Sequence, residues 1–254
     1  KCARQPAHSG ACDFRGGASY SGVHALRLAA SGAGFVLAGS EHLIWNVLAT
    51  DVDFAPDGSI CVLDWVSGWN KTGKGRIYRL QHAGARSDAA AWLAQDLTKL
   101  PSERLRALLT HPDRRVRQQA QFALVDQGDR ALLTTIANDC DARRARRHAI
   151  LALGILGRRD ASACDPLLSM VDDGDAEVRA LVCRTLGDVR HGKAKAKLIE
   201  RLTDGHPRVQ REAALAIARF GDDQPAAAAD LLELVRRNDD HDAVLRHAAV
   251  FALA

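Results

Sequence analysis

The sequence predicts an α+β chain in which short β-strands come first and a solenoid of paired α-helices follows. Up to about residue 82, short apolar runs alternate with polar residues and are separated by Gly, Ser, Asn and a PDG turn, which is the period of β-strands. After about Ser87, apolar residues recur at i, i+3, i+4 and i+7, which is the period of amphipathic helices. The change of period divides the chain into a strand region and a helical region.

The predicted strands form a meander of antiparallel hairpins. They correspond to the runs VHALRLA, GFVLAG, TDVDFA, SICVLDW and GRIYRL. The clearest hairpin is FAPDGSICVLD, where Pro56 presets the first turn position and Gly58 supplies a permissive backbone. After this turn, Ile60, Val62 and Asp64 alternate with their neighbours as a strand requires.

Five segments of the second half align as copies of one helical repeat, at offsets of 29, 33, 31 and 36 residues. Three apolar positions recur in each copy: first Val116, Ala145, Val178, Val209 and Leu245; then Ala120, Ala149, Val182, Ala213 and Ala249; then Leu124, Leu153, Leu186, Ile217 and Leu253. A basic residue follows the first position in four copies, as Arg117, Arg146, Arg179 and Arg246, whereas the fourth copy has Gln210.

A second helix is predicted between successive copies, so that each unit is a helical hairpin. One such hairpin cannot bury its apolar face alone, and stacking into a solenoid follows. Pro112 and Pro207 suit the first turns of helices, and helix ends are predicted at Gly128, Gly157 and Gly221.

The amino-acid composition limits the classes of function that the chain can have. The 254 residues are 47% apolar, and Lys plus Arg exceed Asp plus Glu by four. This net charge is too small to indicate binding to nucleic acid or to an anionic membrane. No apolar run approaches the ~18–20 residues of a membrane helix. A start at Lys1 without Met and an end inside the helical pattern HAAVFALA predict a fragment of a longer protein.

The six cysteines follow no metal-site or haem-attachment spacing. Cys2 and Cys12 flank a loop short enough to close as a disulfide in an oxidising compartment, and free thiols are the alternative. Cys140, Cys164 and Cys183 fall in the helical repeats, where small buried side chains are expected.

The stretch GWNKTGKG, Gly68 to Gly75, resembles the phosphate-binding P-loop motif GxxxxGK[ST] without its final Ser or Thr. A P-loop needs a hydroxyl after the lysine and a helix whose N-terminal amides receive phosphate. Gly75 has no hydroxyl, and the following RIYRL has the pattern of a strand. The stretch is therefore interpreted as a hairpin loop and not as a nucleotide site.

This loop supports a second hypothesis. Trp65, Trp69, Lys71 and Lys74 combine aromatic plates with cationic groups, a combination that suits an anionic or sugar-like ligand. The alternative is that the glycines shape the loop and the lysines keep it soluble.

Five further residues of the strand region are candidates for ligand binding. His24 could serve as a base or ligand, or be bonded to backbone at a strand end. Asp51 and Asp53 share a strand face and could share a cation, or tie down a turn, and Asp64 invites the same two interpretations. Arg15 could contact an anionic ligand, or pair with one of these carboxylates.

The run RRARRHA, Arg143 to Ala149, is the best nucleic-acid candidate, since clustered arginines bind phosphates. Against it, residues 101–254 carry 25 Lys or Arg and 23 Asp or Glu, with only Phe122, Phe220 and Phe251 as aromatics. A solvated helix face is the simpler interpretation, and no nucleic-acid partner is expected.

Two resemblances refine these expectations. HPDRRVRQQAQFALVDQG and GDAEVRALVCRTLGDV resemble the HEAT-like repeat family, which implies an α-solenoid that serves as a protein-binding scaffold. The strings DFRGGASYSGVHALRL and HLIWNVLATDVDFAPDGSICVLDWVSGWNKTGKGRIYRL resemble the end of the β-propeller in planctomycete-type membrane-bound dehydrogenase-like proteins, whose propeller is related to quinoprotein glucose and sorbosone dehydrogenases.

The second resemblance implies that residues 1–82 are the last one or two blades of a β-propeller, followed by a linker helix over 83–104 and a HEAT-like solenoid over 105–254. It implies an extracytoplasmic location, and pyrroloquinoline quinone, calcium and haem c in the parent protein. No cofactor is expected in this fragment, because no catalytic residue of that family can be assigned here.

The chain is accordingly predicted to be a protein-interaction scaffold whose partners are a protein on the solenoid and the rest of its own propeller. Two alternatives stay open. The chain could belong to a sugar or alcohol dehydrogenase dependent on pyrroloquinoline quinone, or be a nucleic-acid-binding solenoid.

Overall fold

A computed structural model of the chain describes residues 9–11, 22–66, 73–82, 87–139, 141–221 and 225–254. The chain divides into two compact units. The first comprises residues 1–30 and 35–94, and the second comprises residues 31–34 and 95–254.

The strands of the described residues form two three-stranded sheets, with strand orders β1-β2-β3 and β4-β5-β6. β1 pairs antiparallel with β2, and β5 pairs antiparallel with both β4 and β6. The bounds are β1 (Ser9–Ala11), β2 (Gly22–Ser31), β3 (Gly34–Trp45), β4 (Ala49–Phe54), β5 (Ile60–Asp64) and β6 (Arg76–Leu80).

The hairpin predicted at the PDG turn is confirmed. The Gly58 N–H donates to the Ala55 carbonyl at 2.9 Å, and Gly58 has a φ of +85°, which an L side chain rarely adopts. Asp57 fixes the turn, because it accepts hydrogen bonds from the Ser59 N–H and hydroxyl and from Arg79 on β6. These bonds lower the pKa of Asp57, the Ser59 hydroxyl first among them.

The core of the first unit is small. Among the described residues it is a cluster of the buried Val23, Ala49 and Val62, against which pack the partly buried Ile44, Val47, Val52, Ile60, Tyr78 and Leu80. Large apolar side chains on the same strands stay exposed, among them Phe35, Leu37 and Ile77. The sheets therefore leave much apolar surface in contact with solvent.

The helices follow Ser87 as the periodicity predicts. They are α1 (Ala89–Leu93), α2 (Ser102–Leu108), α3 (Arg114–Gln127), α4 (Arg130–Asp139), α5 (Arg143–Gly157), α6 (Ala176–Asp188), α7 (Lys195–Glu200), α8 (Pro207–Ala218), α9 (Pro225–Asn238) and α10 (Ala243–Leu253). The first helices of the five repeats, α3, α5, α6, α8 and α10, stack on one another in chain order. We call these five helices the first-helix layer.

The repeat register derived from the sequence is confirmed. The three recurrent apolar positions are at most 5% exposed in every copy, with the exception of Leu253, which is 37% exposed. The first helices thus direct one stripe of side chains into a continuous core, as stacked repeats require.

Two glycines allow neighbouring first helices to approach closely. A Cβ added at Gly187 on α6 would lie 2.4 Å from the Ala216 Cβ and 2.6 Å from its Cα on α8. A Cβ at Gly154 on α5 would lie 2.6 Å from the Thr185 Cγ2 on α6. Since real Cβ atoms do not come this close to other heavy atoms, the spacing of these helices depends on the missing side chains.

The helix termini agree with the sequence in part. Gly128 ends α3 with a left-handed φ of +69°, and Pro207 is the first residue of α8. The placement of Pro112 in a first helical turn is wrong. α3 begins at Arg114, because the Asp113 carboxylate accepts the Arg115 N–H and caps the helix there.

The second helix predicted from the run SACDPLLSMVDD, residues 162–173, is also corrected. This segment forms two 3-10 helices, Ala161–Leu168 and Met170–Asp172, with Pro166 inside the first. Proline has no N–H for an α-helical hydrogen bond, and its ring clashes with the preceding turn. The tighter 3-10 form is therefore adopted, although Leu167 and Val171 still point into the core.

The polar residue after the first apolar position has a shared structural role. Arg117, Arg179 and Gln210 each donate to the carbonyl six residues earlier, at His111, Asp173 and Asp204. This bond fixes the loop that precedes each first helix.

Two arginines at this repeat position, Arg146 and Arg179, also bridge to the next repeat. Arg146 pairs with Asp173, and Arg179 pairs with Asp204. The row of arginines therefore links successive repeats through buried or half-buried carboxylates.

Candidate functional site

A groove of about 410 Å³ crosses the outer surface of the first-helix layer. Its lining comes from three successive first helices: Arg114, Gln118 and Gln121 of α3; His148, Leu151, Gly154, Ile155 and Arg158 of α5; Thr185 and Asp188 of α6. The lining lies early on α3, in the later part of α5 and late on α6, so the groove runs diagonally across three repeats.

His148 anchors one wall of the groove. The Arg117 Nε, which can only donate, lies 3.2 Å from the His148 Nε2, and the His148 Nδ1 lies 2.7 Å from the Gln121 Oε1. Nε2 must therefore accept, so the single ring proton sits on Nδ1 and is donated to Gln121. Burial, together with Arg117 and Arg147, lowers the pKa of His148 to about 4. The ring is neutral near pH 7.

The charges of the groove are unevenly compensated. Asp188 is paired with the Arg219 Nε at 2.9 Å and with the Arg184 Nε at 3.7 Å. By contrast, Arg114 and Arg158 are exposed and form no ion pair with any residue that the structure describes. The groove therefore presents two uncompensated positive charges.

The floor of the groove is aliphatic, from Leu151 and Ile155, with the Gln118 amide beside it. Both ring nitrogens of His148 are occupied, and the Thr185 hydroxyl donates to the Leu181 carbonyl. The groups that could act as a base or nucleophile are thus engaged in structural hydrogen bonds. The arrangement suits binding and not proton transfer.

Leu151 belongs to a row of outward apolar side chains. The position six residues after the first apolar residue of each repeat holds Phe122, Leu151, Arg184, Leu215 and Phe251. Phe122, Leu151 and Phe251 are 46%, 39% and 58% exposed. Sequence reasoning missed this row and the groove. The signal in the sequence was an apolar residue that recurs midway between the second and third core positions of the repeat.

Among the sequence-predicted candidates, His24 lies in a small aromatic cluster of the first sheet. Its Nδ1 is 3.3 Å from the Ser40 Oγ, and its ring meets the His42 ring edge-on at 4.6 Å between centroids. His42 in turn stacks on Trp45 at 4.6 Å. The hydrogen-bond partner of His24 is thus a side-chain hydroxyl and not the backbone group considered from sequence.

The three aspartates bond to backbone groups. Asp64 is buried, and its Oδ1 accepts the Leu48 and Val66 N–H groups, both at 3.0 Å. Asp51 and Asp53 are exposed, and each accepts the N–H of the residue that follows it. Among the residues that the structure describes, no three His, Cys, Asp or Glu side chains are grouped to hold a metal ion.

The loop candidates are only partly described. The side chains of Trp65 and Lys74 are exposed, and the backbone N–H of Trp65 donates to the Leu48 carbonyl at 2.9 Å. β6 follows this loop and pairs with β5, so the segment after the P-loop resemblance is a strand and the nucleotide interpretation is excluded. The remaining candidates, Cys2, Cys12, Arg15, Trp69 and Lys71, lie outside the described residues.

The arginine run on α5 is partly neutralised. Arg143 pairs with Asp175 at 2.9 Å, and Arg146 pairs with Asp173. None of the described helices combines the length and apolar content needed to cross a membrane.

Comparison with known proteins supports the repeat architecture. A family model described as HEAT repeats matches residues 101–177 and 164–254. A search of curated proteins gave no match.

Several solved structures are similar to part of the chain. The structure of YibA from Escherichia coli is 20% identical, covers 68% of this chain and 64% of its own, and has a TM-score of 0.48. The complex of CpcE and CpcF of phycocyanin lyase from a Nostoc species is 20% identical, with coverages of 63% and 68% and a TM-score of 0.44. A designed armadillo repeat protein in complex with the peptide (KR)4 is 18% identical, with coverages of 59% and 79% and a TM-score of 0.42.

Proposed function

Because this chain belongs to the family of HEAT repeat proteins, we propose that its second unit is a scaffold that binds a protein partner through the outer surface of the first-helix layer. The observation that carries the proposal is the row of exposed apolar side chains at one repeat position, Phe122, Leu151 and Phe251, with the groove beside Leu151.

Single exposed apolar residues are common on protein surfaces and need no explanation. Recurrence at one repeat position is different, because it aligns the side chains along the layer. Because each of these side chains is already about half buried, its complete burial against a partner stabilises a complex by on the order of 1 kcal/mol before the costs of association. Aromatic residues are enriched at the cores of protein–protein interfaces, where a few anchors carry most of the binding energy.

Site-specific photo-crosslinking in cells of the source organism tests the proposal. A benzophenone amino acid at Leu151 or Phe122 of the full chain is expected to yield adducts with one and the same protein. The matched control is Leu232 on α9, which is also exposed but lies outside the first-helix layer. Adducts at Leu232 alone, or none at either layer position, would contradict the scaffold function.

For the first unit we propose that the two sheets are part of a larger β-structure, which the resemblance to a propeller end specifies as one or two blades. Two observations support it. In the described part of the chain each sheet has three strands, where a propeller blade takes about four, and Leu37 and Ile77 leave apolar surface exposed. An unpaired, apolar sheet is normally covered by neighbouring structure.

An apolar dye that fluoresces on exposed hydrophobic surface tests this proposal. The full chain is expected to bind the dye, and Ile77→Lys with Leu37→Lys is expected to reduce binding without unfolding the chain. A protein extended at the N-terminus by its genomic upstream sequence is expected to lose the dye signal. Unchanged dye binding in the extended protein would contradict the proposal.

The dehydrogenase interpretation is tested separately. Dye-linked oxidation of a sugar and alcohol panel by the extended protein, with added pyrroloquinoline quinone and calcium, is the assay. Absence of activity there would remove the dehydrogenase interpretation and leave the β-structure proposal standing.

A further inference from the structure

We propose that the groove of the first-helix layer takes an extended acidic peptide segment with an aliphatic side chain between two carboxylates. This inference rests on the proposed scaffold function and names the chemistry of the partner. It starts from Arg114 and Arg158, two charges that no residue described by the structure compensates.

The charge balance selects an anion. Of the charged side chains in the lining, Asp188 is already paired with Arg219 and Arg184, and His148 is neutral near pH 7. The net charge that the groove presents to a ligand is therefore that of the two guanidinium groups. Guanidinium groups bind carboxylates with two parallel hydrogen bonds, which gives geometric selectivity as well as attraction.

The positions of the two arginines set the length of the ligand. Arg114 begins α3 and is equivalent in the repeat to Arg143, which lies 15 residues before Arg158. At 1.5 Å per helical residue the two arginines are separated by ~22 Å along the helix axis. An extended peptide at ~3.3 Å per residue covers this distance with about seven residues.

The floor between the arginines sets the middle of the ligand. Leu151 and Ile155 are apolar, and the Gln118 amide offers hydrogen bonds to a peptide backbone. An aliphatic residue placed there would cover Leu151, which is otherwise exposed.

A nucleic acid fits the same groove less well. Single-stranded nucleic acids bind by stacking bases on aromatic rings, and the described residues that line the groove include no Phe, Tyr or Trp. The observations therefore favour the peptide, and nucleic-acid binding becomes one outcome of the test.

The experiment uses a displayed library of random octapeptides, selected against the full chain at low ionic strength. Enrichment of peptides with Asp or Glu near both ends and Leu, Ile or Val between them is expected. The best peptide is then synthesised with a fluorophore, and its affinity is measured by anisotropy at several salt concentrations. Affinity is expected to fall as salt rises.

Variants assign the binding to the two arginines. Arg114→Ser and Arg158→Ser are each expected to weaken binding about fivefold, and the double variant about 20-fold, as for partly exposed ion pairs. Arg159→Ser is the matched control, because it removes the same charge from the next residue, which is exposed and outside the groove. It is expected to bind within about twofold of the unmodified chain.

The outcomes separate this inference from the function on which it rests. Enrichment of basic or uncharged peptides, equal affinity of the double variant, or tighter binding of a single-stranded oligonucleotide would overturn the acidic-peptide inference. If crosslinks at Leu151 still identify a protein partner, the scaffold function survives that result. If no peptide is enriched and Leu151 yields no adduct, both proposals fail.

Discussion

Arg179 donates hydrogen bonds of 2.9 Å from both Nε and Nη2 to the two carboxylate oxygens of Asp204, which lies in the loop before the next repeat. Asp204 is buried, and Arg179 is nearly so. Burial raises the pKa of Asp204, but the hydrogen bonds from Arg179 and the His206 N–H outweigh it, and the net effect lowers the pKa. The pair therefore remains ionised and joins two repeats.

Removal of Arg179 leaves the buried Asp204 carboxylate without its two charged hydrogen bonds, and the Arg201 Nη1, 3.7 Å from the Asp204 Oδ2, compensates the charge only in part. We expect Arg179→Ala to lower the free energy of unfolding by ~3 kcal/mol, measured by chemical denaturation of the full chain. The control is Arg130→Ala, because the Arg130–Asp160 pair of 2.9 Å is exposed on both sides and is expected to contribute under ~1 kcal/mol. Equal losses in the two variants would show that burial of the pair does not matter.

The close approach of α6 and α8 predicts a large effect of one methyl group. Gly187→Ala places a Cβ within 2.6 Å of the Ala216 Cα, so backbone must move, and we expect a loss of ~2–3 kcal/mol of stability. Gly205→Ala is the matched control, since its Cβ would meet nothing within 4 Å, and it is expected to change stability by under ~1 kcal/mol. A stable Gly187→Ala variant would mean that the helices separate at little cost.

His148 predicts a pH dependence of stability. The pKa of His148 is about 4 in the folded chain and about 6.5 when unfolded, so between these values only the unfolded state binds the proton. The free energy of unfolding is therefore expected to fall as pH falls from about 6.5 toward 4, by on the order of 1 kcal/mol after allowance for partial solvent exposure.

Urea denaturation at several pH values measures this dependence. His148→Gln is expected to flatten the slope between about pH 6.5 and 4, whereas His241→Gln, which removes an exposed imidazole, is expected to retain it. Parallel profiles for the unmodified chain and His148→Gln would contradict the role of His148.

The buried thiols predict selective labelling. Burial raises the pKa of Cys164 to about 11 and of Cys183 to about 12, and the Cys164 thiol also donates to the Leu153 carbonyl. At pH 8 both are expected to resist iodoacetamide for hours in the folded chain and to react in minutes in denaturant. The half-buried Cys61 is the internal control and is expected to react first. Rapid labelling of Cys183 without denaturant would contradict the packing of α6.

The sequence predicts the core of the solenoid well, because each repeat fixes its own buried stripe by helical period. Leu124 and Leu153 could be placed in this way without any knowledge of their neighbours. The sequence also shows that Arg179 recurs in the repeat, but its partner Asp204 is 25 residues away, and only stacking brings the two together.

The groove was missed for the same reason. Leu151 lies beside the core stripe of α5, and its exposure depends on how far α3 and α6 stand from it. A glycine late in a helical pattern, such as Gly187, can mark either close packing of two helices or the end of a helix, and the sequence alone does not distinguish the two. Pro166 does carry one, since proline inside a helical pattern disfavours the α-form.

The diagonal path of the groove has a consequence for how the chain tolerates change in repeat number. No single repeat carries the site; α3, α5 and α6 each contribute part of the lining. Excision of the hairpin that contains α5 could leave a continuous core, since repeats stack on any similar neighbour, yet it would remove Leu151, Ile155 and Arg158 together. Gain or loss of internal repeats during evolution would therefore change what the scaffold recognises before it changes whether the scaffold folds.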